Sequence, residues 1–155
     1  MSALICPSTV VLETIDHLRV AGRSGRECIV RWLGRRSANS IDVQEARRPR
    51  QTAQRDRFHI PADEMAAIKA YLREHHLIIA AQVHSHPAEA FHSIADDTGA
   101  LIRHVGALSF VIPWFASQIS VSSFLANTGL FELQKDNTWL EIPFSSLDTK
   151  CRIIV

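Results

Sequence analysis

Residues 84 to 97 read HSHPAEAFHSIADD: two histidines two apart, a proline, then a serine and an aspartate three apart. Imidazole nitrogens and carboxylate oxygens are the donors a divalent ion such as zinc takes. Side chains alternate across a strand, so His84 and His86 point to one side of any strand that ends at Pro87. With 8 His in 155 residues, roughly 0.4 such pairs arise by chance, and the pair alone decides nothing. Requiring Ser at a fixed later position and Asp three beyond it lowers the expectation to roughly 0.002, so the combination carries the signal. Ser93 and Asp96 also have the spacing of a helix N-cap with an acid in the first turn. The two readings are compatible, because a helix starting at Ser93 can present Asp96 back toward the histidine strand. Two neutral imidazoles and one carboxylate make three ligands and leave a fourth position for water, which zinc acidifies toward a nucleophile near neutral pH.

Such a centre needs a strand for the histidines and a helix for the aspartate. LIIAAQV, residues 77 to 83, reads as a buried strand running into His84, and Ser93 to His104 has a helical pattern. Upstream, Val11, Ile15 and Leu18 lie at helical spacing within Ser8 to Arg19, with Ser8 or Thr9 as N-cap. ECIVRWLG, closed by Gly34, reads as a buried strand, and SIDVQEARRPRQTAQRDRF as polar strands or a long hairpin with Pro49 near a turn. PADEMAAIKAYLREHH predicts a second helix with Met65, Ile68, Tyr71 and Leu72 on one face. ALSFVIPWF, QISVSSFLA, GLFELQ, TWLEIPF and CRIIV read as strands divided by Pro, Gly or Asn turns. The expectation is one α/β domain over residues 1–155, a mixed β-sheet flanked by helices.

A chain of 155 residues with 46% hydrophobic content can bury a core without staples. A net charge of +1 gives no argument for general nucleic-acid binding, yet ten of the fourteen arginines fall between Arg23 and Arg57. That basic face is solvated or a docking surface for carboxylates, with RNA or DNA ranked below both as a partner. Cys6, Cys28 and Cys151 are an odd set without CxxC spacing, which fits a reducing compartment rather than a disulfide framework or thiolate zinc site. Cys28 has no matching histidine motif and reads as a small buried hydrophobe. No apolar run reaches membrane-spanning length and no secretory signal precedes the first helix, so the expected location is cytoplasmic.

HSHP followed by SxxD, with a glutamate on an early strand, resembles the JAMM or MPN-plus (JAB) zinc metalloproteases of the compact prokaryotic type. The resemblance runs over roughly residues 8 to 125 and is strongest at 77 to 97. It implies the MPN/JAB, cytidine-deaminase-like architecture and an isopeptidase cleaving after the C-terminal glycine of a ubiquitin-like modifier. It further implies one Zn2+ per chain held by His84, His86 and Asp96, with Ser93 donating a hydrogen bond to the tetrahedral oxyanion. Glu27, at the start of ECIVRWLG, matches the family glutamate that accepts the proton of the zinc-bound water; it also reads as an ordinary strand-end carboxylate. The loop from His86 to Ser93 is a residue shorter than in the family, which tightens the path from strand to helix. Partners implied are the modifier's C-terminal tail and modifier-activating and conjugating enzymes. Asp97, Glu89 and His92 are substitute ligands or solvent-facing residues; Phe91, Trp114 and Phe115 are groove walls or packing residues. Two other functions stay open: a metal-free MPN-type interaction scaffold, and a zinc hydrolase of small peptide-like substrates.

Overall fold

The computed structural model describes residues 3–53, 58–89 and 104–155. In chain order the elements are β1 (Ala3–Pro7), α1 (Ser8–Arg23), β2 (Ile29–Arg36), β3 (Ser40–Arg47), β4 (Thr52–Ala53), β5 (Phe58–His59), α2 (Ala62–His75), β6 (Ile78–Ser85), β7 (Leu108–Ile112), β8 (Gly129–Leu133), β9 (Trp139–Glu141), α3 (Leu147–Lys150) and β10 (Cys151–Ile154). Among the described residues eight strands make one mixed sheet in the order β10-β1-β3-β2-β6-β7-β8-β9, and β4 pairs with β5 apart from it. β2 runs antiparallel to β3 and β6, while β6 and β7 are parallel. The first six residues of β2 are buried, as a central strand covered on both faces requires.

Helix α1 covers one face of the sheet through Val10, Val11, Thr14, Ile15, Leu18 and Ala21. The Trp32 indole anchors that core, 5.0 Å from the Phe110 ring and 5.7 Å from Phe124. Its N–H donates to Thr14 Oγ1 at 2.8 Å, and Thr14 in turn donates to the Val10 carbonyl at 2.7 Å, so no polar atom of this cluster is left behind. Helix α2 lies over the other face. Tyr71 donates to the Glu45 carboxylate at 2.9 Å, and the Arg47 guanidinium sits 4.3 Å above the Tyr71 ring. Of its expected apolar face only Ile68 is fully buried.

Three expectations need correction. Helix α1 has Pro7 as its N-cap and no side-chain cap, so Ser8 and Thr9 lie in the first turn; Pro7 ends β1, and its fixed φ starts the helix. QISVSSFLA forms tight turns rather than a strand. There the Ser120 amide donates to Ser123 Oγ at 3.0 Å and Asn127 N–H to the Ser123 carbonyl at 3.0 Å, local bonds that compete with a ladder. β7 stops at Ile112, ahead of Trp114 and Phe115. The helix expected over Ser93 to His104 lies outside the described residues except for His104, which sits in a bend.

Gly34 marks a register shift where β2 meets β3. A Cβ there would stand 2.4 Å from the Asp42 carbonyl oxygen, a backbone atom with no freedom to turn away. Gly34→Ala is therefore expected to cost roughly 1–3 kcal/mol, a melting temperature lower by about 3–10 °C. Calorimetry showing no loss would mean that the two strands separate locally at little cost.

Candidate metal centre

The ladder between β2 and β6 assembles the centre. Ile29 pairs with His84, and the next step back is locked by Ser85 N–H donating to the Cys28 carbonyl at 3.0 Å. One residue further brings Glu27 level with His86. Cross-strand partners share a face and alternate residues swap faces. Glu27, Ile29 and Arg31 thus lie beside His86, His84 and Gln82, while Cys28 and Ser85 point toward α1. The Arg31 to Gln82 hydrogen bond, 2.6 Å, confirms the register.

All three site groups are buried: His84 is 0% exposed, His86 2% and Glu27 2%. The imidazole rings are centred 5.1 Å apart and tilted by 51°. Two imidazoles bound to one tetrahedral ion at ordinary zinc–nitrogen distances have centres about 5 Å apart, so this pair fits a shared ion. Among the described residues no three His, Cys, Asp or Glu side chains converge. Asp96 and Ser93, expected as third ligand and oxyanion donor, lie outside the described residues, as do Phe91, His92 and Asp97; Glu89 is exposed.

Two positioning devices had no signal in the sequence. Ser85, between the histidines, accepts the Cys28 N–H on its hydroxyl at 3.1 Å and so fastens the residue after Glu27. On the opposite edge, Gln51 imitates a strand: its Oε1 accepts the Ile29 N–H at 2.8 Å, and its Nε2 donates to the Ile29 carbonyl at 3.0 Å and to the Pro49 carbonyl at 2.9 Å. Such a clamp acts through tertiary reach and leaves no local pattern. Gln51→Ala is expected to cost about 1–3 kcal/mol and to raise amide exchange at Ile29 at least tenfold. Unchanged exchange at that amide would show the clamp to be dispensable.

Further along the same face Arg31 is fully buried, and burial pulls its guanidinium down to about 9. Its Nη1 donates to Gln82, whose Nε2 donates to Ser109 Oγ at 3.0 Å, a polar row beneath the histidines. Cys28 is buried and its thiol is raised by that burial, which disfavours the thiolate a nucleophile or ligand needs. The basic segment after β3 is partly self-satisfied, with Arg50 ion-paired to Asp63 and Glu64.

After β7 the chain makes an unusual turn. Trp114, Phe115 and Ala116 have φ of 57°, 52° and 61°, each costing an L-residue about 1–2 kcal/mol. The turn is bolted to the histidine strand: Phe115 N–H donates to the His86 carbonyl at 2.8 Å and Trp114 N–H to the Ala88 carbonyl at 3.1 Å. From α1, Arg19 donates to the carbonyls of Ala116 and Ile119. Gly22 admits the turn, since a Cβ there would lie 2.6 Å from Phe115 Cβ.

Two buried imidazoles at the end of one strand, at a separation that suits a shared ion, supply two of the donors a metal centre needs. No family model matches the chain. The chain is 32% identical over 157 residues to Probable metalloprotease y4jG of Sinorhizobium fredii, covering 95% of each protein. It belongs to the family of that probable metalloprotease, whose name carries a metal cofactor and peptidase chemistry in general. In fold it is similar to the solution structure of protein DSY2949 from Desulfitobacterium hafniense, with a TM-score of 0.69 and 19% identity over 97% of this chain and 92% of that one. Among the described residues no helix is long and apolar enough to cross a membrane.

Proposed function

We propose that this metalloprotease is a zinc isopeptidase of the JAMM or MPN-plus type, cutting after the C-terminal glycine of a ubiquitin-like modifier to free it from a lysine or a precursor. The observation that supports the reading is the buried histidine pair, rings centred 5.1 Å apart at the end of β6, with the buried Glu27 just ahead of the strand that pairs with β6. His84, His86 and Asp96 hold one ion per chain. Bound there, zinc polarises the scissile carbonyl and makes water acidic enough to attack near neutral pH. Glu27 accepts the water's proton and returns it to the departing amine, while Ser93 donates a hydrogen bond to the oxyanion. Burial of Glu27, His84 and His86 keeps bulk water from competing at their side chains.

The substrate is the modifier's extended tail, and modifier-activating and conjugating enzymes are the fitting partners; neither membrane nor nucleic acid is required. A reducing location, the cytoplasm, accords with three buried free thiols at Cys6, Cys28 and Cys151. The test is metal analysis of the purified protein together with cleavage of a panel of ubiquitin-like fusions, with and without a chelator. Stoichiometric zinc and chelator-sensitive cleavage at the glycine are expected. Zinc binding with no fusion cleaved, but with hydrolysis of small peptides, would move the substrate to the peptide-like class; no metal at all would leave a scaffold.

A further inference from the structure

We infer that the left-handed turn after β7 carries a substrate subsite for a peptide segment in which an apolar residue adjoins a carboxylate, with Trp114 as its wall and Arg23 as its charge reader. The inference rests on the peptidase reading for the identity of the occupant. Trp114 is 44% exposed, although it is a large aromatic on a turn held from three sides. It lines two cavities. One, of about 350 Å³, is lined by Arg19, Gly22, Arg23, Trp114, Phe115 and Ser117. The other, of about 200 Å³, adds Pro113, Gln118, Ile119 and Asn127.

Three properties together suit a ligand rather than bare solvent. Among the described residues the larger cavity has two arginines and no carboxylate in its lining, and neither Arg19 nor Arg23 forms an ion pair. Arg19 is spent in part on the turn's carbonyls, which leaves exposed Arg23 as the reader of charge. An indole offers a flat apolar surface with little rotamer freedom to lose, and a guanidinium offers a fork of donors matched to a carboxylate. Finally, the turn's amides donate to the His86 and Ala88 carbonyls, so the wall is fastened to the end of the histidine strand. A rigid backbone that keeps an exposed tryptophan in an uncommon conformation beside catalytic ligands is where recognition is expected.

The test separates binding from turnover. Fluorescein-labelled peptides with glutamate, glutamine or lysine next to a leucine, beside a glycine pair, are titrated by anisotropy into zinc-loaded Glu27→Gln. The same titrations are made with Trp114→Ala, Trp114→Phe or Arg23→Glu added to that background. The glutamate peptide is expected to bind at least tenfold tighter than the lysine peptide. Trp114→Ala should weaken it at least fivefold, Trp114→Phe should stay within twofold, and Arg23→Glu should reverse the charge preference. Equal affinities for the three peptides, no binding, or indifference to Trp114→Ala overturns the subsite. Hydrolysis of the same peptides by the wild-type enzyme is scored separately. Binding as expected without hydrolysis contradicts the peptidase reading alone, whereas hydrolysis without the binding pattern contradicts the subsite alone.

Discussion

Glu27→Ala is expected to retain one zinc per chain and to lose turnover by roughly 10²–10⁴-fold, the usual worth of a positioned general base. The glutamate sits level with His86 but is not among the proposed ligands, so removing it takes away the proton acceptor and not the ion's donors. Its backbone is fixed independently of its side chain. Cys28 is fastened to Ser85 and Ile29 to Gln51, which should leave the strand unmoved when the carboxylate is gone. KM for a fusion substrate should accordingly change little while kcat collapses, since the loss falls on the transition state. Glu27→Asp, a methylene shorter, should recover only a small part. Full activity in Glu27→Ala would place the base elsewhere.

His84→Ala and His86→Ala are expected to act on the metal itself. Each removes one of the two imidazoles and should drop zinc after dialysis from about one per chain to a trace. In wild type, free zinc at a hundred times its dissociation constant should add about 2.7 kcal/mol to stability, raising the melting temperature by roughly 5–10 °C. Neither variant should show that rise. Cys28→Ser is the matched control, because it neighbours Glu27 in sequence yet faces α1 in the sheet. It should keep both zinc and turnover. A zinc-induced shift that survives in His84→Ala would mean that the ion binds somewhere else.

The part of this centre that could be read from the residues is the part built locally. His84 and His86 sit two apart on one strand, and alternation alone puts their rings together. Glu27 could be named but not placed: its distance from His86 depends on a ladder between strands far apart in sequence. The sheet order was hidden for the same reason. β1 has no clear strand signal because ALICP is short and merges into α1, and its neighbours are β3, which follows α1 and β2, and β10 at the far end of the chain. QISVSSFLA has the alternation of a strand, but its serines bond locally and Phe124 is drawn into the aromatic cluster with Trp32 and Phe110. Gln51 resembled any polar loop residue until the fold set its amide against Ile29.

The most direct measurement of the central claim is zinc K-edge X-ray absorption of the loaded wild-type protein beside His84→Ala. A shell of nitrogen and oxygen scatterers at about 2.0–2.1 Å is predicted, with the multiple-scattering signature of two imidazoles in wild type. That signature should vanish together with the zinc in the variant. A sulfur shell near 2.3 Å, or a wild-type spectrum without imidazole, would contradict the account.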